Sequence, residues 1–407
     1  MCEIYFAIIG FEGEIYEMKR IAIVTNQMIM GGIEKSLITL LKQMIRCNCE
    51  VTLYLCKLGG ELYNEIPEGV KVKDIFFENH TGIEIFKTRI KQGDIINALL
   101  YSIKVLFNKI DRNTFRVWNR SLNFSILNGE NVNYDIAIAY GSPVSFSTSC
   151  IANICNAKKK YVWIHNEIDK IGFEINLLEN YFDNFDKIFC VSKKCREVFL
   201  KNFSQYTSKT EVFYNFIDID DIKLKANKEK GFTDSFNGIR LLTVGRICNQ
   251  KGQDLIPEVL ENLKDYSDRI KWYCIGSGED NILKIKRKAR EFGVDDMLLF
   301  LGNKNNPYPF FKECDIYIQP SRHEGFGITI SEAKIFSKPI ILTTFAGSDE
   351  QIENHIDGIL VPFESEAISE AIRILINDEE LRYKYGIAAY QSGISCSSDI
   401  RKIIDDV

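Results

Sequence analysis

Short apolar runs alternate with amphipathic stretches along most of this chain. Runs bounded by polar or glycine residues predict strands at Ile21–Thr25, Val51–Leu55, Tyr134–Tyr140, Lys160–Ile164, Lys187–Val191 and Glu211–Tyr214. Apolar residues at helical spacing between them predict helices at Glu34–Met44, Phe146–Ile154 and Lys194–Asn202. A second series follows, with strands at Leu241–Val244, Trp272–Ile275, Leu298–Leu301, Ile316–Gln319 and Ile340–Thr343 and helices in the gaps. Two successive βα series imply an α/β fold of two parallel-sheet domains facing each other across a cleft. The charged stretch Asp218–Gly238 lacks sustained apolar periodicity and reads as the connection. The first domain is therefore expected over residues 18–220 and the second over 221–387.

Residues 1–17 contain an apolar patch, IYFAIIGF, preceded by Glu3 and by no basic residue, so they do not resemble a secretory signal. Met18-Lys19-Arg20 leads straight into the first strand. The segment before it is expected to be a poorly ordered extension or a misassigned start. No segment is apolar enough to span a bilayer.

The chemistry concentrates where strands end. Ser321–Glu332, SRHEGFGITISE, places Glu324 and Glu332 eight residues apart around a Gly-Phe-Gly turn, after one strand and before a helical pattern. A strand-to-helix junction of an open α/β sheet is where ligands bind, because the first helical turn offers unpaired N–H groups and the positive end of its dipole. Gly325 and Gly327 allow close backbone approach to a ligand, and an anion such as phosphate is the first expectation. Carboxylates beside a phosphate suit hydroxyls on the neutral parts of the same ligand. Sugar hydroxyls on both sides of a phosphate describe a nucleotide sugar.

A second junction, Leu241–Asp254 (LLTVGRICNQKGQD), carries Gly245, Arg246 and Lys251. A guanidinium that binds two oxygens and an ammonium that acts as a point charge suit a diphosphate. Gly31-Gly32 follows the first strand and opens a helix, a limited signal that by itself fits a tight turn. No full G-x-G-x-x-G occurs, because Asn281 stands where the last glycine would follow Gly276 and Gly278.

Composition narrows the class. At 407 residues the chain is long enough for two cores, and its net charge of -5 argues against a general nucleic-acid binder. Its 12 cysteines are scattered without a C-x-x-C pair, which speaks for buried reduced thiols rather than zinc or a redox dithiol. No His/Asp/Glu cluster has metal-ligand spacing, and Asp218-Ile219-Asp220 matches a D-x-D pattern only in the linker.

These motifs together resemble a known family. GRICNQKG, GSGED at Gly276, FLGN at Phe300, SRHEGFGITISEAKIFSKPII and GILVP at Gly358 stand in the order seen in family-four retaining glycosyltransferases of the GT-B fold. MGGIE at Met30, WIHNE around His165 and FYNFID around Asn215 extend the resemblance into the first half. It implies two Rossmann-like domains, with residues 388–407 crossing back to the first.

The resemblance further implies transfer of a sugar with retention from a nucleoside diphosphate sugar, a UDP-sugar foremost, with no metal and no other cofactor. The acceptor would be a hydroxyl of a saccharide or lipid-linked saccharide in bacterial surface polysaccharide synthesis. Arg246, Lys251 and the Gly325–Ile328 backbone, including Phe326, would stabilise the leaving diphosphate. Gly31 and Gly32 would face it across the cleft, Glu324 would hold sugar hydroxyls, Glu332 the ribose hydroxyls, and His165 would lie beside the transferred sugar. Phe216 stands after Asn215 where the family has a small residue, which weakens the close approach at Asn215. Glu324→Ala and Lys251→Ala are expected to abolish transfer and leave the fold intact, as cleft rather than core residues.

Other classes remain. A phosphorylase or sucrose-type transferase would share the donor site, a nucleotide-sugar 2-epimerase would have no use for the Glu324/Glu332 spacing, and a non-catalytic partner subunit should have lost the charged donor residues kept here. Lys87–Arg120 carries eight basic and two acidic residues around the apolar stretch Ile95–Phe107. Such a segment is compatible with an anionic membrane surface and equally with a solvated basic face. With it, the expected location is cytoplasmic, peripheral on the inner face of the membrane.

Overall fold

In the computed structural model, described for residues 18–74, 133–153, 156–170, 182–394 and 399–406 apart from 142 and 144, the two βα series form two separate parallel sheets. The first has seven strands: β1 (Arg20–Thr25), β2 (Glu50–Leu55), β3 (Lys71–Asp74), β4 (Tyr134–Ala139), β5 (Ala157–Ile164), β6 (Lys187–Cys190) and β7 (Thr210–Val212), in the order β3-β2-β1-β4-β5-β6-β7. The second has six: β8 (Ile239–Val244), β9 (Ile270–Ile275), β10 (Leu298–Phe300), β11 (Ile316–Gln319), β12 (Ile340–Thr343) and β13 (Ile359–Val361), in the order β10-β9-β8-β11-β12-β13. The sequence expects neither β3 nor β13. This two-domain α/β architecture is the GT-B fold.

Each sheet is buried on both faces, which is why its strands read as continuous apolar runs. In β1, Ile21 and Ile23 join one core and Ala22 and Val24 the other, as the two-residue period of a strand requires. The strand order reverses between β1 and β4 and again between β8 and β11. Loops at such a switch point diverge and leave a crevice at the carboxyl edge. The loops after β8 and β11 are the two junctions singled out above.

Helix Gly32–Arg46 covers the first sheet with Leu37, Leu40, Leu41 and Met44 and ends at Asn48, whose φ of 57° is the left-handed conformation that Asn tolerates. Helix Lys193–Asn202 starts on Ser192, whose hydroxyl accepts from the Cys195 N–H at 3.0 Å.

The stretch read as a linker departs from expectation. Ile219–Ala226 is an α-helix capped by the Asp218 carboxylate, and it runs across residue 220, where the sequence places the change of domain. Its Ile222 and Ala226 enter the core of the second sheet beside Tyr308 and Phe311. Two buried positions in eight residues are too few to show as periodicity. Asp218, part of the D-x-D lettering, is held as that cap and by Lys42 at 3.4 Å.

Ile400, Ile403 and Ile404, close to the chain end, pack in the first core, and Asp406 accepts from Tyr161 at 2.6 Å. Residues 1–17 and the basic segment Lys87–Arg120 lie outside the described residues. Among the described residues no helix is long and apolar enough to cross a membrane.

Candidate active site

The loop after β11 is built around a buried carboxylate. Glu324 is 7% exposed, and its Oε1 accepts from Gln319 Nε2, Ser321 Oγ and Lys251 Nζ, each at 2.6 Å. Lys251 Nζ also reaches Oε2 at 2.7 Å. The β8 loop and the β11 loop are therefore tied by a two-pronged ion pair at the switch point. One carboxylate oxygen is saturated and the other keeps room for a further donor. Lys251 and Glu324, expected at different parts of a donor, are partners here. The expectation that Glu324 can be truncated to Ala without touching the fold is corrected: truncation would remove the shared acceptor of Gln319, Ser321 and Lys251, at about 1–3 kcal/mol for each buried donor left without a partner.

Gly327 has φ 77° and caps helix Ile328–Ile335, a conformation that L side chains rarely adopt. A Cβ on Gly32, at the start of helix Gly32–Arg46, would lie 3.5 Å from Ile328 Cδ1. Two helix N-termini, one per domain, thus converge on one gap, and their dipoles favour an anion there. Arg246 is exposed at this gap, and its charge is felt by Glu34 across it. Burial raises the Glu34 carboxyl above its ordinary range, while a backbone hydrogen bond and Arg246 oppose the rise. Gly245, beside Arg246, is overlaid by the Lys251 stem.

Glu332 is 1% exposed. Its Oε1 accepts from Lys35 Nζ of the first domain and from Tyr308 OH, both at 3.1 Å, whereas Oε2 is buried without a partner.

His165 follows β5, is 5% exposed and has an unpartnered buried Nε2. Its ring meets Tyr140 edge-on at 4.5 Å between centroids. Gly325 abuts the His165 backbone so closely that a Cβ on it would stand 2.0 Å from that carbonyl oxygen. Phe326 goes further: its ring packs on Tyr214 and joins the core of the first domain.

Asn215 is not brought to these groups. Its buried Oδ1 accepts from Ser36 Oγ at 2.7 Å, and Ser36 in turn meets Tyr140 OH, so it braces the first helix. The neighbouring Phe216 ring turns onto Phe213 and the first core.

Sequence reasoning missed Lys35, Tyr308, Gln319 and Ser321. It also missed Glu350, whose carboxylate accepts from the N–H groups of Lys193 and Lys194 at 2.8 and 2.7 Å, at the N-terminus of a first-domain helix. Among the described residues no cluster of three or more His, Cys, Asp or Glu could hold a metal ion.

The family described as glycosyl transferases group 1 matches residues 228–392, which hold both carboxylates, Arg246 and Lys251. The second half of the chain therefore matches the group 1 glycosyltransferases. The N-acetylgalactosamine-N,N'-diacetylbacillosaminyl-diphospho-undecaprenol 4-alpha-N-acetylgalactosaminyltransferase of Campylobacter jejuni is 26% identical to this transferase over 375 residues, 90% of this chain and 93% of the relative. A glycosyltransferase structure from Rickettsia africae superposes with a TM-score of 0.70 at 20% identity, covering 96% of this chain and 98% of that one. The Anabaena Alr3699/HepE structure in complex with UDP and glucose superposes with a TM-score of 0.69 at 18% identity, with the same coverage.

One property of the transferase follows from burial alone. Desolvation lowers the His165 pKa from 6.5 to about 3, so the imidazole is neutral throughout the physiological range. Between those two values the unfolded chain binds a proton that the folded protein refuses. Stability is thus retained above the unfolded pKa and falls by roughly 1.4 kcal/mol per pH unit on acidification through that window. Denaturant unfolding at a series of pH values should show that His165→Asn flattens this acid slope, and an unchanged slope would contradict it.

Proposed function

We propose that this glycosyltransferase moves a sugar from a nucleoside diphosphate sugar, a UDP-sugar, to a hydroxyl of a saccharide or lipid-linked saccharide, with retention at the anomeric carbon. The observation that carries the proposal is the pair of buried carboxylates, Glu324 and Glu332. Glu324 has one oxygen saturated by protein donors and the other bonded by Lys251 with room for a ligand hydroxyl. Glu332 has one oxygen held by protein donors and the other buried without a partner, and the two stand just before and within the helix Ile328–Ile335. UDP is suggested by the Anabaena structure with that nucleotide. A lipid-linked acceptor is suggested by the name of the Campylobacter relative.

In this reading the diphosphate lies at the N-termini of helices Gly32–Arg46 and Ile328–Ile335, beside Arg246 and Lys251. The bond from the anomeric carbon to the diphosphate oxygen breaks, and the acceptor oxygen attaches on the same face. The acceptor proton passes to the departing diphosphate. Negative charge grows on that leaving group, and preoriented N–H groups and cations stabilise it most where water is excluded. Arg246 supplies a further cation beside the leaving group. Lys251 shares its charge between Glu324 and the diphosphate. Glu324 Oε2 takes a sugar hydroxyl, Glu332 Oε2 takes the ribose, and neutral His165 offers one donor and one acceptor beside the sugar. This positive charge is sufficient without a divalent cation, so turnover should survive a chelator.

The test is thermal stabilisation by UDP-, GDP- and ADP-sugars, followed by an assay for released nucleoside diphosphate. A ligand at 100 times its Kd adds about 2.7 kcal/mol, a shift of several degrees. UDP-sugars should give the largest shift and release UDP on acceptor addition. Consumption of free phosphate instead would favour a phosphorylase, and no shift with any donor would overturn the reading. Attachment to the inner membrane face through Lys87–Arg120 is an added arm of the same test: salt-sensitive sedimentation with anionic but not neutral liposomes supports it.

A further inference from the structure

We infer that Lys35 is a positioning residue for the ribose of the donor, acting through Glu332 and only when the two domains are together. The inference rests on the proposed ribose role of Glu332 and deepens it.

Glu332 stands on the second-domain helix Ile328–Ile335, and its two oxygens are treated differently. Oε1 is held by two donors at 3.1 Å, Lys35 Nζ and Tyr308 OH, while the buried Oε2 has no partner. A buried polar atom without a partner is uncommon in native proteins, and a ligand hydroxyl is one way to satisfy it. A cavity of about 50 Å³ lies beside the carboxylate, with Lys35, Phe216, Asn305, Tyr308, Ile328 and Glu332 among its lining residues.

The two clamping donors come from different domains. Tyr308 belongs to the same domain as Glu332, and burial together with Glu332 lifts its pKa well above the ordinary tyrosine value, so its hydroxyl keeps the proton it donates. Lys35 belongs to the first-domain helix Gly32–Arg46, 297 residues away, and its ammonium also lies over the Tyr308 ring at 5.2 Å. Neighbouring cations are committed elsewhere: Lys42 to Asp218 and Asp221, Lys225 to Glu65 and Asp221. Lys35 is thus the cation on Glu332 among the described residues.

A side-chain carboxylate has a broad terminal torsion, and one hydrogen bond leaves it free to swing about that contact. The second, charge-assisted bond fixes the plane, and with it the direction in which Oε2 faces the ligand. Since that bond crosses the cleft, the ribose site is complete only in the closed arrangement. Nucleotide binding and closure then favour each other.

The experiment measures dissociation constants for UDP and 2′,3′-dideoxy-UDP, and for GDP and its dideoxy analogue, with the wild-type protein and Lys35→Met. The wild type is expected to prefer the ribonucleotide by about 10- to 100-fold, the range for hydrogen bonds to a charged group. Lys35→Met is expected to reduce that preference to about threefold while dideoxynucleotide affinity changes less than about twofold. The unchanged dideoxynucleotide affinity also reports an intact fold. Equal weakening of both nucleotides would make Lys35 a general tie between the domains, and a preserved preference would give it no part in ribose binding; either result overturns the inference. A wild type without ribose discrimination would instead overturn the role of Glu332, and the inference with it.

Discussion

Glu324→Gln is expected to lower kcat at saturating donor by about 10²–10³-fold, the usual cost of removing one preoriented polar group from a transition-state site. The amide keeps the size of the carboxylate, so the loop after β11 has no cavity to collapse into. It cannot accept from Gln319, Ser321 and Lys251 as the carboxylate does. The charge partner of Lys251 disappears, which leaves that ammonium to the diphosphate alone. Donor affinity should therefore hold or tighten while turnover falls. Steady-state release of nucleoside diphosphate, set beside a donor binding isotherm, separates the two quantities. A kcat within about threefold of the wild type would remove Glu324 from the reacting site.

Gly325→Ala is expected to reduce kcat/KM by about 100-fold through the arrangement of the domains rather than through the chemistry, on the scale that a displacement of about 1 Å can cost. The new methyl would stand 2.0 Å from the His165 carbonyl oxygen and 3.2 Å from Asn166 Oδ1. The carbonyl is backbone at the end of a buried strand and cannot rotate away, so the clash is relieved by parting the cleft. That would loosen the Ser192 hydroxyl from the Gly325 carbonyl and pull Phe326 from Tyr214. Gly325 is not in the left-handed region, so alanine brings little local strain. Small-angle scattering should show a larger radius of gyration with a nearly unchanged melting temperature. Wild-type kcat/KM with an unchanged radius would mean that the approach of Gly325 to His165 is dispensable.

The strands were legible where a sheet buries both faces. Ile136–Ala139 and Ile340–Thr343 are apolar at nearly every position because both sides face a core. β3 is an edge strand, KVKD, half-exposed along its length, and carries too little apolar signal to be seen. Helix Ile219–Ala226 owes its stability to Asp218 at its start and to its seat against Tyr308 and Phe311, partners some ninety residues on. Isolated segments of that length are marginal, so local sequence could not announce it.

The candidate site divides along the same line. Glycines at strand ends, the Glu324/Glu332 spacing and the Arg246/Lys251 pair are local facts, because a strand-to-helix junction sets its ligand-facing atoms within a dozen residues. The sequence by itself therefore determined the α/β class, the two sheets and the loops that carry the chemistry. Tertiary structure alone decided who partners whom: Lys251 with Glu324, Lys35 with Glu332, Glu350 with the N–H groups of Lys193 and Lys194. Two of these three cross between domains. Complementary charges are plentiful in a chain of 107 Lys, Arg, Asp and Glu (51 + 56), and nothing local selects among them. Selection comes from closing the cleft, which removes water from a few of those groups and leaves each one to whichever partner the opposing wall presents.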